Sequence, residues 1–191
     1  MSSNDQYLTS VKKQFEYYKA LAEKAIDQLE PEQLFIAQDE DTNSIAAIIK
    51  HMSGNMLSRW TDFLTTDGEK PDRNRDAEFE ISVQDKAGIL QKWNEGWDRF
   101  FETFNQLKPE QLSDIVYIRN EGHTVLEAIS RHLAHSAYHI GQIVFYAKQL
   151  KTGRWKSLSI PKNKSADYNK DKFDNEKIMK HYTESELRRM K

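Results

Sequence analysis

The chain has 191 residues, with 28 Lys and Arg against 30 Asp and Glu and a formal net charge of −2. This balance gives no electrostatic reason to expect binding to nucleic acid or to an anionic membrane. Because the chain has no cysteine, disulfides, thiolate metal ligands and a cysteine nucleophile are excluded. The first ten residues lack the apolar run of a signal peptide, and no window approaches the roughly 18 apolar residues of a membrane span. We therefore expect a soluble, cytoplasmic protein.

Four segments carry apolar residues at spacings of three and four, the pattern of amphipathic helices. The predicted helices cover about 5–29, 44–64, 83–107 and 124–150. Asn43 or Ser44 is a suitable N-cap for the second helix, and the fourth starts near Thr124, with Glu127 completing a capping box. Two alternating runs, 79–83 and 115–118, are interpreted as extended links between helices and not as a sheet. Four long helices and little else predict an all-α fold, a four-helix bundle.

The composition changes after residue 150, where Lys, Asn and Asp become frequent and apolar residues thin out. We predict a four-helix bundle over 1–152 and a C-terminal tail over 153–191 that packs on the bundle. A short surface helix is expected over 176–189. The extreme C-terminus is expected to be loosely held.

A weak internal repeat relates the two halves of the chain. The segment 29–34 reads Leu-Glu-Pro-Glu-Gln-Leu and 107–112 reads Leu-Lys-Pro-Glu-Gln-Leu, and each is followed by a helix with a basic–His–apolar step. The repeat aligns His51 with His132. Duplicated helical hairpins would make the second and fourth helices neighbours, which would bring His51 close to the histidines of the second half.

The histidines of the fourth predicted helix are the most informative feature of the sequence. His135 and His139 are spaced i, i+4, so they lie on the same helix face one turn apart. His51 lies in the middle of the second helix, beside the small residues Ser53 and Gly54. If the two helices are neighbours, the three rings form a metal site with one open position, which is typical of catalytic sites. The alternative is that these are buried, hydrogen-bonded core histidines.

The residues between and around these histidines limit the reactions that a bound metal could catalyse. Residue 136 is Ser, so the general base of the His-Glu-x-x-His peptidase motif is missing. A metal here would lower the pKa of a bound water or thiol, or polarise a carbonyl. Imidazole ligands suit Zn, Ni, Fe or Cu, so ligand type does not name the ion.

The three remaining histidines of the sequence are not predicted to bind the metal. One helix cannot easily present three rings to one ion, so His132 is interpreted as structural or as a support for a ligand. His123 precedes the helix and His181 lies in the tail, and both are expected to face solvent.

Several polar residues have two interpretations. Asn55 and Gln142 either orient a ligand ring or are ordinary helix polarity. Arg73 and Arg75 either clamp an anionic substrate or belong to a solvated loop, and Tyr138 either donates a proton or packs. An aromatic stripe is interpreted as core, with any exposed part available for a dimer face: Trp60, Trp93, Trp97, Phe100, Phe101 and Phe104.

The combination of His51 with His135-x-x-x-His139-x-Gly141-Gln142 resembles the DinB-like (DinB/YfiT) superfamily. The segments 58–71, 73–76 and 157–161 resemble a bacterial branch of it with no established reaction, and the resemblance covers about 7–168. It implies an up-down-down-up bundle, often homodimeric, in which His51, His135 and His139 bind a divalent metal, commonly Zn or Ni. Ile140 stands where many relatives have an arginine.

The resemblance also implies an activity. Characterised members are transferases or isomerases that use low-molecular-weight thiols such as bacillithiol or mycothiol. The first hypothesis is therefore a metal-dependent thiol S-transferase-like enzyme that joins a small-molecule thiol to an electrophile. The second is a non-catalytic, stress-related metal-binding bundle.

Overall fold

The computed structural model describes residues 1–80 and 85–190 and is mostly helical, which is compatible with the predicted all-α class. The predicted extended run at 79–83 extends into residues 81–84, which lie outside the described residues. The α-helices of the described part are, in chain order, α1 (Ser3–Ile26), α2 (Ile45–Trp60), α3 (Lys86–Phe104), α4 (Val125–Leu150), α5 (Ser165–Phe173) and α6 (Tyr182–Met190).

The four long helices begin at side chains that accept hydrogen bonds from otherwise unpaired backbone N–H groups. Ser44 accepts from the N–H of Ala47, and Thr124 forms the predicted capping box with Glu127. Asp85 caps α3 by accepting from the N–H of Gly88, so this helix begins later than the sequence pattern indicated. α2 ends at Trp60 and not near residue 64, since Asp62 adopts a left-handed φ of 48° that is incompatible with the helix.

Helix packing brings α2 and α4 together. α2 packs along α3, α1 packs along α4, and α2 also contacts α4. The approach of α2 to α3 is close at Gly96, where a Cβ atom would lie 2.8 Å from the Cα of Ser53. The core between the helices is strongly aromatic, as predicted, and its largest fully buried side chains include Phe15, Trp60, Trp93, Trp97 and Phe100.

The internal repeat has a structural counterpart. Residues Pro31–Phe35 and Pro109–Ser113 each form a short 3₁₀-helix. In both, the glutamine side chain accepts a hydrogen bond from the backbone N–H three residues earlier, Gln33 from Glu30 and Gln111 from Lys108. The first 3₁₀-helix contacts α2 and the second contacts α4.

The interpretation of 115–118 as a link without a sheet was wrong. Strand β1 (Ile115–Ile118) pairs antiparallel with β2 (Glu121–Thr124) in a two-stranded hairpin. The two turn residues, Arg119 and Asn120, have φ values of 56° and 62°, which suit the tight turns that match strand twist. Asp67 holds this turn because its carboxylate accepts hydrogen bonds from both turn N–H groups at 2.8 Å.

The C-terminal region contains two short helices, of which α6 packs on α1. Thr183 and Met190 are buried, and Lys13 on α1 bonds to Glu184 at 2.7 Å. The helix expected over 176–189 therefore begins at Tyr182, while a loosely held chain end stays a prediction. In the residues that the structure describes, we find no helix with an apolar stretch long enough to span a membrane.

Candidate metal centre

Three imidazole rings from α2 and α4 converge at one point. The Nε2 atoms of His51 and His135 are 3.3 Å apart, and the ring centroids of His51 and His139 are 5.0 Å apart. One ring nitrogen from each of the three residues lies within 4.8 Å of the others. The predicted convergence is therefore present, and the group could hold a divalent metal.

The spacing of these nitrogens fits a shared ion. A Zn–N bond is about 2.0–2.1 Å long, so two nitrogens of a tetrahedral site are separated by roughly 3.3 Å. The His51–His135 separation of 3.3 Å matches that value.

Two of the rings are oriented by hydrogen bonds from their Nδ1 atoms. His51 Nδ1 lies 2.9 Å from Glu78 Oε2, and His139 Nδ1 lies 2.9 Å from Gln142 Oε1. Because a carboxylate and an amide oxygen can only accept, Nδ1 is the protonated nitrogen in both rings. The Nε2 atoms then carry the free lone pairs that a metal requires, as in carboxylate–histidine–metal arrangements.

Glu78 links the first ring to a buried ion-pair network. Arg73 donates two hydrogen bonds to the Glu78 carboxylate, at 2.8 and 2.9 Å, and a third to Glu69 at 2.9 Å. Burial raises the pKa of Glu78, but the hydrogen bonds from His51 and Arg73 outweigh it and hold the pKa below its ordinary value. The carboxylate is therefore ionised and fixed in position when it accepts from His51.

Gly54 makes room for Glu78. A Cβ atom at Gly54 would lie 2.3 Å from the Glu78 Oε1 atom, so a larger residue would displace the carboxylate. Sequence reasoning did not identify Glu78, which lies in a long connection without periodic pattern. The indirect sign was Gly54 itself, since glycine is unfavourable inside a helix and often indicates a close approach.

The two candidate ligands of α4, His135 and His139, are held in the neutral form. Burial lowers the pKa of His135 to about 3, with repulsion from His139, His51 and nearby arginines adding to it. Burial also lowers the pKa of His139, against the hydrogen bond to Gln142. Neutral imidazole is the form that binds metals, so both rings are ready to bind without losing a proton at neutral pH.

The three rings line a cavity of about 430 Å³ together with polar and cationic side chains. Arg73 is not part of a solvated loop, because its side chain is only 5% exposed and binds Glu78. Arg75 lies over the ring of Phe79, which stacks on His51 with centroids 4.9 Å apart. The remaining arginines of the lining come from three further segments and are Arg59, Arg119 and Arg131.

The structure shows where three of the polar residues with two interpretations lie. Gln142 orients the ring of His139, as predicted for a ligand-supporting residue. Asn55 is buried in the cavity wall, and its Oδ1 atom has no hydrogen-bond partner in residues 1–80 and 85–190. Tyr138 is 64% exposed and lines the same cavity, so it does not belong to the core.

The other histidines lie away from the convergence point. His132 is buried among Phe15, Trp60 and Phe100, with ring centroids 5.0–5.4 Å away, which confirms a structural place for it. His123 lies on β2 beside Arg131. The expectation that His181 faces solvent was wrong, because its ring is part-buried against α1 and bonded to Ser10 at 3.0 Å.

Comparison with known proteins gives a family and no activity. No curated protein and no solved structure matches the chain. The model of one family, described as "Protein of unknown function (DUF1572)", matches residues 2–164, a range that includes the three histidines, Glu78 and the cavity arginines. The chain therefore belongs to the DUF1572 family.

Proposed function

We propose that His51, His135 and His139 bind one divalent metal ion, Zn or Ni, through their Nε2 atoms, and that the bound ion activates a low-molecular-weight thiol. The observation that carries the proposal is that the Nδ1 atoms of His51 and His139 are both hydrogen-bonded to side-chain oxygens. Glu78 and Gln142 each occupy an Nδ1 atom, which leaves the Nε2 atoms of His51 and His139 available to a metal. Without a cation between them, the three converging imidazole rings would gain little from this arrangement.

We also propose that the four long helices form the up-down-down-up bundle of the DinB-like superfamily. The support is the pairwise packing of α1 on α4 and of α2 on α3, with α2 against α4 at the site. The similarity of His51, His135 and His139 to the metal ligands of that superfamily supports the same assignment.

The proposed activity is transfer of the thiol to an electrophilic small molecule, with bacillithiol as the type of thiol. A divalent ion held by the three rings would lower the pKa of a thiol at its remaining position. The rings fix that position, and the cavity of about 430 Å³ provides room for two small molecules. The sulfur would form a bond to the electrophilic carbon, and the thiol proton would leave with the displaced group.

A non-catalytic metal-binding protein is the second candidate. One observation favours it: within the described part of the chain, the cavity lining contains no aspartate or glutamate. Glu78 is nearby but its oxygens are engaged by His51 and Arg73. A general base for catalysis would therefore have to come from a ligand or from solvent.

For both candidate functions we propose that the protein is a homodimer. Light scattering after size-exclusion chromatography would test this oligomeric state.

Metal binding is tested with tag-free protein, stripped with chelator and reloaded with Zn or Ni. We expect one ion per chain in the wild type. In His139→Ala, affinity should fall by more than the 10–100-fold that the loss of an orienting partner costs, because a ligand itself is removed. His181→Ala, which lies against α1 and outside the cavity lining, is the matched control. Equal metal content in all three proteins would overturn the proposal.

The activity is tested with the reloaded protein, a small thiol and chlorodinitrobenzene as the electrophile. The enzyme proposal predicts conjugation that depends on the added metal and is lost in His139→Ala. Tight, His139-dependent metal binding without any metal-dependent conjugation would support the second candidate.

A further inference from the structure

The cavity beside the three histidines carries an excess of positive charge. Five arginines line it, and its lining in the described part of the chain includes no acidic residue. Two carboxylates lie behind the arginines: Glu78 binds Arg73, and Glu69 binds Arg73 at 2.9 Å and Arg119 at 3.5 Å. Five arginines and two carboxylates leave a net excess of three positive charges at the cavity, with Arg119 sharing Glu69 with Arg73.

Arg59 is the arginine whose position most requires an anion. It is only 6% exposed, and its Nε atom has no hydrogen-bond partner among residues 1–80 and 85–190. In the same described part of the chain it forms no salt bridge. A buried cation without a partner is strongly unfavourable. Burial lowers the pKa of Arg59 to about 10, and repulsion from Arg131, Arg73 and Arg119 adds to this shift, against the attraction of Glu69.

Arg131 and Arg59 occupy equivalent places on the two helices that carry the histidines. On α2, His51, Asn55 and Arg59 are spaced by four residues, and on α4 the series is Arg131, His135, His139. Residues at this spacing lie on one helix face, and all six line the cavity. Since a helix rises about 1.5 Å per residue, Arg131 is displaced from His135 by roughly 6 Å along the axis.

Asn55 lies between the two ends of the α2 series and has an unmet requirement of its own. It is 5% exposed, and its Oδ1 atom is buried without a donor in the described residues. A ligand that spans the cavity from the arginines to the histidines would pass this atom. An N–H or O–H group in the middle of that ligand would satisfy it.

We propose that Arg59, Arg119 and Arg131 form an anion subsite that binds a carboxylate or phosphate of a small-molecule ligand, whose other end reaches the three histidines. The planar guanidinium groups can bind either anion with two parallel hydrogen bonds. This inference rests on the proposed function, because it assigns an anionic substrate or thiol to that same site. It also gives the ligand a length: the anion lies roughly one helical turn or more from the atom at the histidines.

The test is calorimetric titration of the metal-free protein at low salt with succinate, with inorganic phosphate and with uncharged succinamide. We expect saturable binding of at least one anion and none of succinamide. Arg131→Gln and Arg59→Gln should weaken that binding by roughly tenfold or more, the equivalent of one charged hydrogen-bonding partner. Arg154→Gln makes the same charge change outside the cavity lining and should bind as the wild type does. Arg131 is exposed, so its variant remains informative if Arg59→Gln does not fold.

Metal content measured in the same proteins keeps the two proposals apart. Wild-type protein that binds succinate or phosphate but takes up no metal would overturn the proposed function and leave the anion subsite standing. Equal anion affinity in Arg131→Gln and Arg154→Gln, or no anion binding at all, would overturn the subsite whatever the metal content. Tighter binding of phosphate assigns the subsite to a phosphoryl group, and tighter binding of succinate assigns it to a carboxylate.

Discussion

His132 and His135 lie three residues apart on α4 and have opposite surroundings. His132 points into the aromatic core, where neither ring nitrogen has a hydrogen-bond partner in the described part of the chain. His135 points into the polar cavity, with its Nε2 atom 3.3 Å from that of His51. The chain thus uses one residue type both as a buried aromatic filler and as a member of a candidate ligand set. The contacts separate the two uses: in the described residues neither ring nitrogen of His132 has a partner, whereas His135 Nε2 faces His51, whose Nδ1 is bonded to Glu78.

The aromatic core around His132 and the polar cavity around His135 also differ in what stabilises them. The aromatic core gains its stability from packing and contains few polar atoms, whereas the cavity is lined by charged and polar side chains, some of which bond to carboxylates behind them. Substitutions in the core should therefore change stability and leave metal binding intact. Substitutions around the cavity should change metal binding more than they change the fold.

The largest stability effect is expected in the core. Phe100→Ala removes a fully buried ring that contacts Phe15, Trp60 and His132. It should lower the free energy of unfolding by about 3–5 kcal/mol without changing the metal affinity of the folded protein. Phe145→Ala, at a 66% exposed position of α4, should change stability by no more than about 0.5 kcal/mol. Denaturant titration of the metal-free proteins measures both.

The conservative Phe100→Leu variant keeps this test usable if the alanine variant does not fold. A weaker metal affinity in folded Phe100→Leu, at otherwise native structure, would mean that the core and the cavity are not separable as described.

The next effect concerns the carboxylate behind the candidate ligands. Glu78→Gln keeps the size of the side chain but removes the charge that His51 and Arg73 face. Metal affinity should fall by about 10–100-fold, the usual effect of losing an orienting partner. Gly54→Ala should weaken metal binding in the same direction, because its Cβ would displace Glu78. Competition with a chelating dye measures the dissociation constants.

Glu102→Gln is the matched control, since this glutamate pairs with Arg99 on the surface of α3. It should leave the metal affinity unchanged. If Glu78→Gln binds metal as tightly as Glu102→Gln does, Glu78 does not support the site.

The smallest effect at neutral pH, and one that grows in acid, concerns His132. Burial, and then the charges of Arg59 and His135, hold its pKa well below the ordinary value of 6.5. Below pH 6.5 the unfolded chain therefore binds a proton that the folded protein does not. The group's contribution to stability is lost as pH falls from 6.5 towards the folded pKa, by up to about 1.4 kcal/mol per pH unit.

His132→Phe removes this proton linkage and suits the aromatic surroundings. In metal-free protein, the free energy of unfolding of the variant should fall less steeply between pH 6.5 and pH 5 than that of the wild type, by up to about one proton's worth. Parallel pH dependences of the two proteins would show that His132 takes up its proton in the folded state as well.

The features that could be predicted from the sequence are those that depend on regular residue spacing along a helix. The i, i+4 pair on α4 and a third histidine on a neighbouring helix were enough to predict His51, His135 and His139 as one group, and the caps at Ser44 and Thr124 were visible as local sequence patterns. The hairpin at 115–124 was missed because it depends on positive φ angles at Arg119 and Asn120. This conformation has no clear signal in the sequence of the turn. Tertiary contacts with Asp67 hold it.

The supporting residues were beyond reach for a different reason. Glu78 and Arg73 lie in an irregular connection, and their partners His51 and Glu69 are fixed by the path of that connection. Arg59 carries no spacing signal of its own, and only the packing of α2 against α4 reveals that it lines the cavity with Arg131, without a salt-bridge partner among the described residues. Spacing predicts which side chains share a helix face, but the charge balance of a cavity depends on the whole fold.

The most direct test is anomalous diffraction from crystals of the tag-free protein loaded with Zn, recorded on both sides of the zinc absorption edge. We expect one strong peak per chain, about 2.0–2.1 Å from the Nε2 atoms of His51, His135 and His139, with Glu78 still bonded to His51 Nδ1. A peak held by other residues, or no peak between these three rings at full zinc loading, would contradict it.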